Sequence, residues 1–189
     1  MKNWTFDIDD MKTPKLTAAM KRYAENFSEM KKSKKGLLLH GDTGTGKSFY
    51  AACIANYLID RGIPVLMTNF MRISNKINES FEGRQSFIDS LNDFELLILD
   101  DLGAERQSDF MNEQVFNIVD SRYRAGLPLI VTTNTPFKRI AAEQEIKYKR
   151  IYDRLLELCF PIEVNGDSRR KESLRGEYND FRSFLGLDE

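Results

Sequence analysis

Cysteine is scarce in this sequence, and its two occurrences lie far apart. Cys53 and Cys159 stand alone, and neither is part of a CxxC pair. This pattern argues against a zinc site and against a disulfide framework, and it is typical of proteins kept in a reducing compartment. Both residues fall in apolar segments, so we expect them to be buried.

Long apolar runs and an excess of charge of either sign are also missing. No stretch approaches the roughly 18 apolar residues of a membrane span, and the first ten residues, MKNWTFDIDD, are too acidic and too polar for a signal peptide. With 28 basic and 29 acidic residues the formal net charge is −1, which leaves only a local basic surface for contact with nucleic acid. We therefore expect a cytoplasmic chain without a membrane partner.

Short apolar segments alternate with helical patterns along the chain. A helix is predicted from Thr13 as N-cap and Pro14 as first helical residue, with one apolar stripe that continues to Met30. Strands that alternate with helices in this way form parallel sheets covered on both faces. We therefore predict an α/β three-layer sandwich around a mostly parallel five-stranded sheet. The predicted strands are 37–39, 64–68, 96–99, 129–133 and 160–164.

A glycine-rich motif follows the first predicted strand. Residues 41–48 read GDTGTGKS and match the phosphate-binding pattern GxxxxGK[ST], between a strand and a helix as that pattern requires. The glycines let successive N–H groups face phosphate oxygens, Lys47 reaches the β- and γ-phosphates, and the Ser48 hydroxyl ligates magnesium. A nucleotide with Mg²⁺ is therefore the predicted cofactor. The predicted binding residues of this loop are Gly41, Asp42, Thr43, Gly44, Thr45, Gly46, Lys47, Ser48 and Phe49.

The third predicted strand runs directly into carboxylates, in LLILDDLGAE at 96–105. An apolar strand that ends on adjacent like charges indicates a cation beside it, and P-loop proteins hold magnesium with an acid at the end of a neighbouring strand. Asp100 is thus the predicted magnesium ligand, together with Ser48. Asp101 and Glu105 are both candidates for the group that activates water, while Glu105 alternatively caps local structure.

Asn134 ends the fourth predicted strand, in LIVTTNTP. Its amide either orients the attacking water against the γ-phosphate or, with Thr135, caps the helix that begins at Pro136. The sequence alone leaves both roles open.

Two pairs of arginines follow. Arg150 and Arg154 share one helical face in RIYDRLLE, either as solvated surface or as a finger directed at the nucleotide of another subunit. Arg169 and Arg170, in NGDSRR, come after the last strand, where a guanidinium can fold back on the phosphates. A small-molecule kinase is disfavoured because no arginine-rich lid insertion occurs, and a GTPase because no NKxD motif follows the fourth or fifth strand.

Taken in order, GDTGTGKS, LLILDDLGAE, LIVTTNT, RIYDRLLE and NGDSRR resemble the AAA+ domain of the DnaC/DnaI/IstB group, which comprises bacterial replicative helicase loaders and transposition helper ATPases. The resemblance implies a segment 1–35 that leads into the core, an AAA+ core over 36–170, and a tail or reduced lid over 171–189. Loaders also carry a helicase-gripping N-terminal domain, which we do not expect within the roughly 35 residues before the P-loop.

The same resemblance implies individual roles. Asp101 takes the place of the usual catalytic glutamate, and we favour it over Glu105 as the base. Asn134 becomes the first sensor, Arg154 the arginine finger acting in trans, and Arg170 the second sensor, with Arg169 as the alternative. By the same resemblance, the nucleotide is ATP or ADP, and the N-terminal edge packs near its adenine, namely Trp4, Phe6 and Ile8.

The resemblance also implies partners. These are a replicative DNA helicase, single-stranded DNA, and further copies of the chain that meet at the ATP interface. The segment 70–93 matches an inserted helix of the loaders, with Arg72, Lys76 and Arg84 as candidate DNA contacts. The expected activity is an ATPase that is slow in isolation. The alternatives are an IstB-like transposition helper that prefers duplex DNA, and a nucleotide-gated adaptor that barely hydrolyses ATP because Asp101 is one methylene shorter than glutamate.

Overall fold

Five short strands form one parallel sheet. The computed structural model describes residues 3–79, 83–103, 109–169, 178 and 181–187. All strand pairings are parallel, in the order β2-β3-β4-β1-β5, so β1 lies between β4 and the edge strand β5. The strands are β1 Gly36–His40, β2 Val65–Asn69, β3 Leu96–Leu102, β4 Leu129–Thr133 and β5 Cys159–Glu163.

Helices cover both faces of the sheet. Successive side chains of a strand point to opposite faces, so Leu38, Leu97 and Leu99 pack with α4, α5, α6 and α8, whereas Leu39 and Ile98 pack with α1 and α3. The predicted three-layer α/β sandwich is confirmed. The helices are α1 Pro14–Glu25, α2 Phe27–Lys32, α3 Lys47–Ile59, α4 Phe70–Glu79, α5 Arg84–Ser90, α6 Asp109–Ala125, α7 Phe137–Ala141 and α8 Ile146–Leu158.

The predicted first helix is divided in two. The apolar stripe continues to Met30 as expected, but α1 ends at Glu25 and α2 begins at Phe27. Between them the side-chain amide of Asn26 donates to the carbonyl oxygen of Arg22 at 2.8 Å. Asparagine competes with the helix for its own backbone partners in this way, which periodicity alone does not reveal.

The pairing of β3 with β4 contains a bulge. Leu99 pairs with Val131 and Leu102 with Thr133, so β3 has one residue more than β4 across this interval. Within the bulge Asp101 adopts a left-handed backbone with φ of 59°. A bulge bends its strand and redirects side chains, and here it lies where β3 reaches the P-loop.

Both cysteines are buried and unpaired, as expected. Among the described helices, none combines the length and the apolar character that crossing a membrane requires. The boundary predicted at 170–171 falls outside the described residues.

Candidate nucleotide-binding site

The P-loop joins the end of β1 to the start of α3 and packs tightly under the segment that follows β5. A Cβ atom at Gly41 would lie 2.4 Å from the carbonyl oxygen of Val164, and one at Gly44 would lie 2.1 Å from Oγ of Ser168. Both glycines have positive φ. Only glycine meets these two requirements together, so the sequence pattern corresponds to a physical need.

Lys47 is folded back onto the loop. It is 4% exposed, and its Nζ donates to the carbonyl oxygens of Gly41 at 2.9 Å and of Asp42 at 2.7 Å. The N-cap residue of α3 is Gly46, which has no side chain to satisfy the first N–H groups of the helix. Those groups and the lysine ammonium together suit an anion such as a phosphate.

A cavity of about 500 Å³ opens beside this loop. It brings together most residues that the sequence predicted, although they come from five separate parts of the chain. Its lining comprises Trp4, Ile8, Asp10, Thr43, Gly44, Gly46, Lys47, Ser48, Phe49, Asp101, Asn134 and Arg169.

The two aromatic residues that are predicted near the adenine lie in different places. Trp4 lines the cavity and packs on Phe49, with ring centroids 5.8 Å apart. Phe6 does not line it and instead contacts the ring of Tyr57 edge-on, at 6.4 Å. One residue of the pair therefore lies where a nucleotide base can reach it.

The two aspartates of β3 are held by one hydroxyl. Oγ1 of Thr132 donates to Oδ1 of Asp100 at 2.7 Å and accepts the backbone N–H of Asp101 at 2.8 Å. Thr132 is fully buried and Asp100 is 8% exposed, whereas Asp101 is exposed and lines the cavity. The bulge and Thr132 thus give the adjacent carboxylates different environments.

Asn134 lies at the carboxyl end of β4 and lines the cavity. The backbone N–H of Thr135 donates to Oγ1 of Thr133 at 3.1 Å. The following helix, α7, begins only at Phe137 and has no side-chain cap. These contacts do not support the helix-capping interpretation of Asn134, and its water-orienting role stays a prediction.

Arg154 lies on α8 and is not among the residues that line this cavity. Its guanidinium stacks over Tyr123 at 4.2 Å and pairs with Asp120 at 3.3 Å and with Glu157 at 3.0 Å. Arg150 stacks in the same way over Phe116. Both arginines therefore lie along α6, with part of Arg154 open to solvent.

Arg169 is one of the two arginines that the sequence predicts beside the phosphates, and the structure describes where it lies. It lines the cavity, and its backbone N–H donates to the carbonyl oxygen of Gly44 at 3.0 Å. Arg170 and Glu105 lie outside the described residues, so their predicted roles stay predictions.

Two residues beside the cavity are not predicted from the sequence. Thr132 falls within the predicted strand 129–133, although two threonines in the otherwise apolar LIVTT are a polar signal at a buried position. Asp9 was also missed, and its pairing with Arg169 at 2.9 Å has no local signature because the partners are 160 positions apart.

Comparison with known proteins agrees with this geometry. The sequence model of the family described as IstB-like ATP binding protein matches residues 11–176. The replicative helicase loader DnaI of Bacillus subtilis is 27% identical over 182 residues, which cover 88% of this chain and 58% of the relative. A putative insertion sequence ATP-binding protein of Sinorhizobium fredii is 32% identical over 142 residues, which cover 72% of this chain and 47% of the relative.

The fold agrees as well. A crystal structure of DnaI superimposes with a TM-score of 0.73 at 28% identity, covering 89% of this chain and 91% of that one. The chain spans about three fifths of the full DnaI loader and about half of the insertion sequence protein. Because the family match spans residues 11–176, and so includes the glycine loop, both aspartates at the end of β3, Asn134 and Arg169, the chain belongs to the IstB-like family of ATP-binding proteins.

Proposed function

We propose that this chain binds ATP with Mg²⁺ between neighbouring copies of itself, hydrolyses it slowly when alone, and helps to place a replicative helicase on single-stranded DNA. The observation that carries the proposal is the joint lining of one cavity by the P-loop, Asp101, Asn134 and Arg169. Similarity to the replicative helicase loader DnaI supports the helicase as partner.

The site residues suit magnesium. Ser48 and Asp100 offer a hydroxyl and a carboxylate, which are the hard oxygen donors this ion prefers. No group of three acidic, histidine or cysteine ligands occurs among the described residues, so phosphate and water oxygens would complete the shell. When bound, the ion neutralises charge on the phosphate oxygens.

Four side chains have separate proposed roles in binding and hydrolysis. Lys47 exchanges its two carbonyl contacts for phosphate oxygens, Asn134 orients a water, and Asp101 takes the proton that this water loses. Arg169 stabilises the phosphates from the side of the N-terminal segment. These roles require only side chains that already line the cavity.

Arg154 supports the assembly of several copies. Its place on α8, partly open to solvent, suits a finger offered to a neighbouring nucleotide. Such a finger contributes about 10³–10⁵ in rate, which explains why the isolated chain is expected to turn over slowly.

DNA contact rests on one face of α4. Arg72 and Lys76 are exposed and one helical turn apart, so both can reach successive phosphates. Arg84 differs, because its guanidinium stacks over Phe110 at 5.1 Å. We therefore propose Arg72 and Lys76, rather than Arg84, as the main DNA contacts.

The proposal is tested by ATP turnover with and without single-stranded DNA, for wild type and Lys47→Ala. Single strands should stimulate wild type, and Lys47→Ala should lose ATP binding and turnover. Affinity for a labelled strand should fall with rising salt, and less steeply for the double variant Arg72→Ala/Lys76→Ala. The DNA role would be contradicted if single strands did not change ATP turnover and if DNA binding did not depend on salt. The helicase as partner would be contradicted if the chain did not retain replicative helicase in a pull-down.

A transposition helper is the second candidate. One specific observation favours this function: the Sinorhizobium fredii insertion sequence protein is 32% identical to this chain. Competition between duplex and single-stranded DNA of equal length decides the matter, because a strong preference for duplex would replace the helicase-loading proposal.

A further inference from the structure

A buried polar cluster lies beside the nucleotide cavity. We call it the Asp9 cluster, and it consists of Asp9, Thr13, Thr17, Tyr50 and Arg169. The Asp9 side chain is 0% exposed. Its Oδ1 accepts from Nη1 of Arg169 at 2.9 Å, and its Oδ2 accepts from Oγ1 of Thr17, with the Tyr50 hydroxyl at 3.5 Å. Both carboxylate oxygens are therefore engaged.

The cluster fixes the Arg169 guanidinium from one side. Nη2 donates to Oγ1 of Thr13 and to the Tyr50 hydroxyl, each at 3.3 Å, and lies 3.2 Å from Oδ1 of Asp10. On the other side the guanidinium carbon would lie 3.5 Å from a Cβ atom at Gly46. Arg169 is thus held against the first turn of α3, where phosphates are expected.

This position is electrostatically costly without Asp9. The first turn of a helix carries partial positive charge, and Lys47 lies in the same cavity lining. Burial alone lowers the pKa of Arg169, but the hydrogen bonds that Arg169 donates to Tyr50 and Asp9, together with the negative charge of Asp10, more than offset this and raise the pKa above its ordinary value. A buried carboxylate likewise needs a cationic or hydrogen-bonding partner.

We propose that Asp9 is a positioning residue for nucleotide binding: it holds Arg169 at the mouth of the cavity, where the guanidinium meets the phosphate chain of a nucleoside triphosphate. This inference rests on the proposed ATP binding. It also gives the N-terminal segment a role, because Trp4 of the same segment lines the cavity and its carbonyl accepts from Nδ2 of Asn56 at 2.8 Å.

The test is a double-mutant cycle with ATP–Mg²⁺ binding measured by calorimetry. Asp9→Asn and Arg169→Gln should each weaken ATP affinity about tenfold, which corresponds to about 1.4 kcal/mol. Asp9→Asn combined with Arg169→Gln should be no weaker than Arg169→Gln alone, because Asp9 acts through the arginine. Additive losses, or an Asp9→Asn chain that binds ATP as wild type does, would overturn the proposal.

Two controls separate positioning from stability. Asp7→Asn changes an exposed carboxylate two residues away and should leave affinity unchanged. Thr17→Val removes the hydrogen bond from Thr17 to Asp9 but leaves the contacts of Asp9 with Arg169 and Tyr50, so it should lower the melting temperature and keep affinity within about twofold. Equal loss of affinity in Thr17→Val and Asp9→Asn would show a structural role only.

Two further outcomes are informative. If Asp9→Asn does not fold, Asp9→Glu keeps the charge and displaces it, and its affinity loss should also vanish in the Arg169→Gln background; persistence of that loss would overturn the proposal. A wild-type chain that fails to bind ATP would refute the proposed function itself, whereas wild-type binding that is insensitive to Asp9 refutes only this inference.

Discussion

At the scale of single residues, Asp101 has an unusual backbone at the position that we propose for the catalytic base. Residues other than glycine rarely adopt positive φ, and asparagine and aspartate are among those that tolerate it best. The bulge that imposes φ of 59° also carries the carboxylate to the cavity. Local backbone strain of this kind is often found at functional sites.

Asp101→Asn should therefore abolish hydrolysis and spare both folding and ATP binding. Asparagine keeps the shape and accepts the left-handed backbone, but it cannot take a proton from water. We expect turnover to fall by about 10²-fold or more, with the ATP dissociation constant and the melting temperature unchanged. Single-turnover phosphate release measures the loss of turnover, and calorimetry measures the ATP dissociation constant and the melting temperature. Full activity of Asp101→Asn, with loss in Glu105→Gln, would move the base to Glu105.

Thr132→Val should separate the two aspartates from their shared support. The substitution keeps the volume, removes the hydrogen bond to Asp100 and leaves the Asp101 N–H without its partner. Asp100 is our proposed magnesium ligand, and a ligand that loses its hydrogen-bond partner binds metal less tightly, so we expect turnover about 10–100-fold lower and a higher Mg²⁺ requirement. A Mg²⁺ titration of ATP turnover measures both.

Thr133→Val is the matched control, since among the described residues the Thr133 hydroxyl bonds to backbone groups, those of Leu102 and Thr135. Both variants should lose about 1–3 kcal/mol of unfolding free energy. An identical Mg²⁺ dependence in the two would show that Thr132 only stabilises the sheet.

At the scale of elements, Arg122 near the end of α6 holds several chain segments together. It is fully buried, and burial lowers its pKa to about 10, which leaves it charged at pH 7. Its guanidinium donates to the carbonyl oxygens of Leu91, Phe94, Glu95 and Pro128. These carbonyls belong to the segments that lead into β3 and β4.

Arg122→Met should lower the unfolding free energy by at least about 3 kcal/mol, because it leaves several buried acceptors without donors. Arg124→Met is the control, since the Arg124 side chain is 79% exposed and pairs only at the surface with Asp120. It should change stability by about 0.5 kcal/mol or less. Chemical denaturation compares the two, and equal values would refute the role of Arg122.

His40, the last residue of β1, should make the free energy of unfolding depend on pH. Its ring is buried and stacks on Phe137 at 5.5 Å. Burial, helped by Lys47, lowers its pKa although Glu163 opposes this. The folded state therefore favours neutral His40, and its contribution to stability is present above the unfolded pKa of about 6.5 and is lost as the pH falls below it.

His40→Phe keeps a ring against Phe137 and removes the titration. Between pH 7 and pH 5.5 the unfolding free energy of wild type should fall more steeply than that of the variant. Because His40 is the only histidine of the chain, the difference between the two curves isolates it. Parallel curves would show that its pKa is the same in both states.

Sequence patterns predicted elements whose cause is local. The P-loop was predictable because Gly41, Gly44 and the following helix start are encoded within eight residues. The bulge in β3 was not, because it arises from the pairing of β3 with β4. The break at Asn26 was also missed, since an amide that bonds to the preceding turn leaves the apolar period intact.

At the scale of the whole molecule, the proposed trans role of Arg154 predicts complementation between inactive chains. Lys47→Ala lacks a working P-loop but offers an intact finger, and Arg154→Ala has the reverse. A mixture should recover turnover that neither chain shows alone, at interfaces where the Lys47→Ala chain supplies the arginine. Phosphate release across mixing ratios measures this. Turnover that stays at the sum of the separate chains would contradict a site shared between subunits.

The Asp9–Arg169 pair also has a consequence for the order of folding. Its members are 160 positions apart, and closing so long a loop is costly until other contacts have brought the chain together. We expect the cavity wall that they form to be completed after the sheet has assembled. Substitutions there should mainly accelerate unfolding and leave the refolding rate nearly unchanged, so that in a refolding experiment recovered ATP binding marks the last step.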